Sequence, residues 1–409
     1  MNSSPMLTIQ YLEASPALGH LDRKQVVDLL CAAADRLPLT HLLIGWNVPV
    51  PILEACCLEA GRLGMRFLAW QPLLTLDPDL QPDPQWRMVD MFDNRLVGYR
   101  GLPEFTFCCP NHPAVQEALC RHLEKLVRLG LYQGFFLDRI RFPSPAGAPL
   151  THLGCFCEYC QHRAREVGLD LRRVKSVLGH LSGDENTCTS LVKSLLSWEA
   201  DADQADPAQC LSQFLSFRNR SIHDFLAVIT PMLREAGLEI GLDCYSPSLT
   251  RMVGQDLTSL SGLVDWIKLM TYAHTYAPAG LPFELSGLAK SCALTTGRAP
   301  TRVLRLMADV TGLPLAQDLV SLESRGLSSQ VLAIEVTHGM RLASVPVLAG
   351  VELVDIPGVT RLNTRQIRSD LSALQQTKIS GLSISWDLLK IPLGRLDLVR
   401  QVFFPQSGD

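Results

Sequence analysis

The chain has 409 residues, 47% of them hydrophobic, and a formal net charge of −4 at pH 7. That length buries a sizeable core and suits two average domains or one large α/β barrel with insertions, while so small a charge gives no electrostatic case for nucleic acid or an acidic membrane surface as partner. The opening stretch, MNSSPMLTIQYLEAS, has no basic segment leading into an apolar one, and no apolar run approaches the roughly 20 residues that span a bilayer, so a soluble cytoplasmic protein is expected.

Short apolar runs alternate with longer helical patterns along the whole chain, the signature of parallel βα units. The predicted strands are Met6 to Tyr11, His41 to Asn47, Met65 to Trp70, Gly134 to Phe142, Glu239 to Tyr245, Trp266 to Tyr272, Gln330 to Thr337 and Ser380 to Asp387. Helical patterns separate them, from Arg23 to Arg36 at the start to Arg395 to Val402 at the end. Eight such units predict one α/β domain over residues 1–409, a single (β/α)8 TIM barrel with its active site at the C-terminal ends of the strands. Two long loops interrupt the rhythm, at about 71–110 after the third strand and about 144–210 after the fourth, and both are expected over the barrel mouth, where pockets are built.

Period-two alternation selects the side chains that face into the barrel. It puts Phe136 and Asp138 inward on the fourth strand, Gly241, Asp243 and Tyr245 on the fifth, and Lys268, Met270 and Tyr272 on the sixth. On the predicted seventh it selects Ala333, Glu335 and Thr337, and on the eighth Ser383, Ser385 and Asp387. By the same alternation Arg139 turns away from Asp138, leaving Arg141 as the nearer cation. Trp46, Trp70, Tyr272 and Trp386 stand at strand ends, where an aromatic face can stack on a sugar ring. His112, His274 and His338 fall in predicted top loops.

Thirteen cysteines are an odd number and cannot all pair within one chain. In a reducing compartment, clustered thiols read as metal ligands or buried apolar residues. Cys155-x-Cys157-x-x-Cys160 can place three thiolates on one ion, and a fourth sulfur, from Cys108 or Cys109, would complete a closed tetrahedral structural zinc site.

The order CPNHP, helix, strand ending in an acid, then CFCEYC and an amphipathic helix resembles the zinc-binding segment of family 42 glycoside hydrolases, barrel β-galactosidases. By that resemblance the zinc ligands are Cys109, Cys155, Cys157 and Cys160, with Cys108 a bystander, and a homo-oligomer is left open because the resembled family assembles into trimers. LDRIRFP, WIKLMTYAHTY and SISWD, in order on strands four, six and eight, resemble a broader set of glycosyl-hydrolase-like barrels related to chitinases. Glycoside hydrolysis needs two carboxyl groups flanking the scissile bond. The resemblance puts the acid/base at the end of strand four, on Asp138, and the nucleophile at the end of strand seven, on Glu335. The family's strand four ends in Asn-Glu where this chain has Leu137-Asp138.

The expectation is therefore a cytoplasmic hydrolase of carbohydrate metabolism, a glycosidase cleaving an oligosaccharide or glycoconjugate, with Asp138 and Glu335 catalytic. Asp243, Tyr245, Lys268, Tyr272, Trp46, Trp386 and Arg141 would bind substrate, and Asp243 is the substitute for Glu335 in the pair. Two alternatives stay open. One is a barrel that binds carbohydrate without cleaving it; the other is a Schiff-base lyase using Lys268, since burial can free the lone pair of an amine.

Overall fold

The computed structural model describes residues 5–13, 21–75, 82–99, 101–180, 185–196, 206–360 and 362–405. Eight strands, β1 (Met6–Tyr11), β2 (His41–Ile44), β3 (Arg66–Pro72), β4 (Gly134–Asp138), β5 (Glu239–Tyr245), β6 (Trp266–Met270), β7 (Val347–Glu352) and β8 (Gly381–Ser385), pair in parallel in sequence order. β8 returns beside β1 and closes the barrel, the architecture that the alternation of elements predicts.

The alternation sorts strand side chains into two apolar layers. Leu7, Ile9, Phe67, Phe135, Leu137, Ile240, Leu242, Leu269 and Ile384 pack outward in one continuous core with the surrounding helices. Leu43, Leu68, Trp70, Phe136, Trp266 and Leu348 form a second, smaller cluster that fills the barrel. Trp266 stacks on Phe136 at 5.3 Å and donates Nε1–H to Glu239 at 2.6 Å. It fits because Gly241 on the next strand has no side chain: a Cβ there would lie 2.2 Å from the indole. The lower barrel is thus plugged, and space opens only above it, at the C-terminal strand ends.

The predicted seventh strand is a helix. Residues Ser329–Leu342 coil, and their buried positions, Val331, Leu332, Glu335, Val336 and Gly339, recur at helical spacing along one face. A run such as QVLAIEVT satisfies period two and period 3.6 alike, and only its context separates the two. The true β7 follows in VLAGVE, where Leu348 pairs with Lys268 of β6 on one side and with Gly381 of β8 on the other. A third long excursion therefore exists beyond the two predicted: residues 271–346 carry helices Leu281–Thr296, Pro300–Thr311, Leu319–Arg325 and Ser329–Leu342.

Candidate functional site

A cavity of about 920 Å³ opens at the C-terminal end of the barrel, within the range that holds small ligands. Its floor is one row of side chains. Leu137 pairs with Leu242, so the residues that follow stand level, Asp138 as the last of β4 and Asp243 two before the end of β5. Asp243 pairs in turn with Lys268 of β6. Lys268 Nζ donates to Asp243 Oδ2 and, across the barrel, to Gln10 Oε1 of β1, both at 2.9 Å. Gly350 of β7 leaves room for this reach, since a Cβ there would lie 2.9 Å from Lys268 Cε.

Asp138 accepts Trp70 Nε1–H at 3.0 Å on Oδ2 and the Arg139 backbone N–H at 2.5 Å on Oδ1. Trp70 is thereby a hydrogen-bond donor to the acid rather than a stacking plate, because β3 runs on through Gln71 and Pro72 instead of turning. Burial pushes the Asp243 carboxyl up to about 7; Lys268 opposes the rise and the neighbouring Asp138 charge adds to it. For Lys268, burial works against the ammonium, but Asp243 and Tyr272 outweigh it and hold the amine protonated more firmly than in water. Tyr272 lies beside it, its ring 5.4 Å from Nζ, and burial pushes the phenol up to about 12. A protonated amine engaged by Asp243 and Gln10 is a weaker nucleophile than the free amine that a Schiff-base role calls for.

Trp46, Tyr272 and Trp386 line the walls as predicted, with Arg141 and Arg139 below them. Arg139 departs from the alternation that would send it outward. The strand ends at Asp138, and Arg139 takes a left-handed conformation, φ 55°, that swings its guanidinium under Trp46 and Phe105. Leu12, after β1, and Asn47, beyond the end of β2, also have positive φ, at 57° and 58°. Non-glycine residues in this region cluster at functional sites because surrounding contacts must hold them there.

Glu335 does not reach the cavity. It lies on the outer helix Ser329–Leu342, fully buried, where Oε2 accepts the Ser248 backbone N–H at 3.0 Å and Oε1 has no partner. Its expected place opposite Asp138 depended on the strand assignment, which the helix overturns. The residue that ends β7 is Glu352, and its carboxylate is enclosed by Thr275 and by the His274 N–H, outside the cavity lining. Tyr245 is also off the cavity wall. Its hydroxyl donates to Glu284 at 3.1 Å, and its ring lies under Arg141. His338 shares the helix of Glu335, His112 caps the helix Pro113–Arg128, and His274 bonds Asp370 at 3.1 Å. Sequence reasoning passed over Gln10, although alternation on TIQY would have turned it inward with Thr8.

Beside the mouth, the Sγ atoms of Cys109, Cys155, Cys157 and Cys160 all lie within 4.8 Å of one another. Cys109 approaches Cys160 at 3.4 Å and Cys157 at 3.5 Å. Four thiolates around one ion at a zinc–sulfur distance of about 2.3 Å would stand about 3.8 Å apart, so the donor set fits a tetrahedral metal. The Val89 N–H points at Cys155 Sγ and Asn111 Nδ2 at Cys160 Sγ, donors of the kind that support a thiolate ligand. Cys108 is buried next to the set but outside it, its thiol pushed up to about 12 by burial. The cluster joins the β3 loop to the β4 loop, and the same β3 loop carries Thr75, Glu104 and Phe105 to the cavity wall.

No protein-family model and no curated protein matches the chain. Among solved structures, the PgaB (BpsB) glycoside hydrolase domain from Bordetella bronchiseptica aligns with a TM-score of 0.54 at 12% identity, over 98% of this chain and 96% of that one. A β-galactosidase from the psychrophilic Marinomonas ef1 gives 0.58 at 11% identity over 97% of this chain and 59% of its own. A GH42 β-galactosidase from G. stearothermophilus gives 0.53 at 14% identity, over 94% and 51% respectively. The chain therefore spans between half and three fifths of these two β-galactosidases. At such identities the likeness is one of fold, and the fold is that of glycoside hydrolase barrels with a closed parallel sheet.

Proposed function

We propose that the protein is a glycoside hydrolase whose two carboxyl groups are Asp138 and Asp243. The observation that carries this reading is their level placement on adjacent strands at the floor of the cavity, with one of them raised to about 7. Two neighbouring carboxylates repel, so near neutrality one proton is retained between them, available to protonate a departing glycosidic oxygen. Asp243, raised by burial, would carry that proton as general acid, and Asp138 beside it would stabilise the positive charge that develops on the sugar. Trp46, Trp386 and Tyr272 would form the walls against which sugar rings stack.

The four-cysteine cluster would hold zinc in a closed structural site, with no open position for substrate. Its contribution would be to fix the β3 loop against the β4 loop and so the rim of the cavity. Cysteines without a disulfide among the described residues suit a reducing compartment, and no helix among them is long and apolar enough to cross a membrane. A cytoplasmic enzyme of carbohydrate metabolism is consistent with both.

One observation favours a second reading, in which the barrel binds carbohydrate without cleaving it. The remaining carboxylates on the lining, Glu13 and Glu104, come from loops, and Glu13 is engaged by Lys390 at 3.1 Å. A panel of aryl glycosides separates the two. Under the hydrolase reading, D138N and D243N, each assayed under conditions where it is folded, lower turnover on a responsive glycoside by about 10²-fold or more, and D243N also melts lower because Lys268 loses its buried partner. Turnover in either variant within a few-fold of wild type would remove that residue from the pair.

A further inference from the structure

Arg139 and Arg141 are both buried on the cavity wall, and among the described residues neither guanidinium has a carboxylate within the 4.0 Å of an ion pair. Arg139 Nη1 donates to Thr75 Oγ1 at 3.2 Å and to the Glu104 carbonyl at 3.1 Å, while its face rests on Phe105, 4.3 Å from the ring centre. Arg141 is held between the rings of Phe107 and Tyr245, at 4.9 and 4.7 Å. Its Nη1 donates to the Phe142 carbonyl, and its Nε has no partner at all. The stacking fixes both planes before any ligand arrives.

The charges around them are already committed. Lys268 is matched by Asp243, and Glu13 at the rim by Lys390. Asp138 takes its donors from Trp70 and the backbone. That leaves two buried guanidiniums beside one buried carboxylate, with Glu104 an exposed acid further out on the lining, and a buried cation without an ion-pair partner costs free energy that a neutral sugar would not return. Guanidinium forks are matched by planar or tetrahedral anions, which accept two hydrogen bonds at once.

We infer that the sugar bound in this cavity carries an anionic substituent, a carboxylate or a sulfate or phosphate ester, received by Arg139 and Arg141. The inference rests on the hydrolase reading for its choice of a sugar, but its test reads binding rather than turnover. Calorimetry on the full chain would compare galactose, galacturonate, galactose 6-sulfate and inorganic sulfate. The expected result is that an anionic sugar binds about tenfold or more tightly than galactose, as a charge-assisted hydrogen bond implies, with the margin shrinking as salt rises from about 50 to about 500 mM.

R141M should erase the margin between the acidic sugars and galactose. Because Arg141 is packed between two rings, R139M provides the same test at the other guanidinium, and the comparison among ligands needs no variant. Equal affinity for galactose and both acidic sugars would overturn the inference, as would sulfate alone binding as tightly as the sulfated sugar. Tight binding of an acidic sugar with no turnover on any glycoside would uphold the anion site and defeat the hydrolase reading. Hydrolysis of neutral glycosides with no preference for acidic ones would do the reverse.

Discussion

Replacing Glu335 by Gln should stabilise the protein at alkaline pH and leave the cavity chemistry alone. Its carboxyl is fully buried, accepts the Ser248 backbone N–H, lies beside the Ser246 and Ser248 hydroxyls, and makes no ion pair among the described residues. Burial pushes it from 4.5 up to about 7. The folded state thus binds this proton more tightly than the unfolded chain does. The associated stability is complete below the unfolded value of 4.5 and is lost as pH rises through about 7. At about 1.4 kcal/mol per unit, the loss is on the order of 3 kcal/mol. Gln has the same shape, its carbonyl can still accept from Ser248, and it carries no charge at any pH. E335Q should therefore match wild type near pH 4 and exceed it by about 3 kcal/mol near pH 8, read from denaturant midpoints at each pH. Parallel pH dependence in the two proteins would refute the buried-charge argument. A hundredfold loss of turnover in a fully folded E335Q would refute the placement of Glu335 outside the site.

The cysteine cluster predicts about one zinc per chain by metal analysis, with C157S losing the metal and melting lower; a metal content unchanged in C157S would exclude that ligand set. In the barrel, G241A drives a Cβ into Trp266, which is stacked on Phe136 and anchored by Glu239 and so has no room to yield. A loss of about 2 to 3 kcal/mol in unfolding free energy is expected, and a variant as stable as wild type would show that the interior repacks.

Much of the site was legible as a pattern. Alternation on β4, β5 and β6 selected Asp138, Asp243, Lys268 and Tyr272, and these four do share the cavity. The spacing of Cys155, Cys157 and Cys160, with Cys109 in the preceding loop, marked a set that comes together in space. Arg139 escaped the reading because alternation holds only while a strand lasts, and the chain leaves the sheet at Asp138, four residues before the predicted strand end at Phe142. Tyr245 escaped it because Glu284, 39 residues further on, draws its hydroxyl out of the cavity's reach.

What the chain determines locally is periodicity and chemistry: which residues alternate, which cap, which can ligate a metal. Those properties reside in neighbours a few positions apart, and they were enough for a closed parallel barrel and most of its mouth. Which of two apolar runs becomes β7 is not a local property. QVLAIEVT and VLAGVE both have strand character, but only the second can pair with β6 and β8 at once, while the first buries its stripe as a helix against the outside of the barrel. Closure of the sheet made that choice, and with it removed Glu335 from the site and left Asp243 beside Asp138.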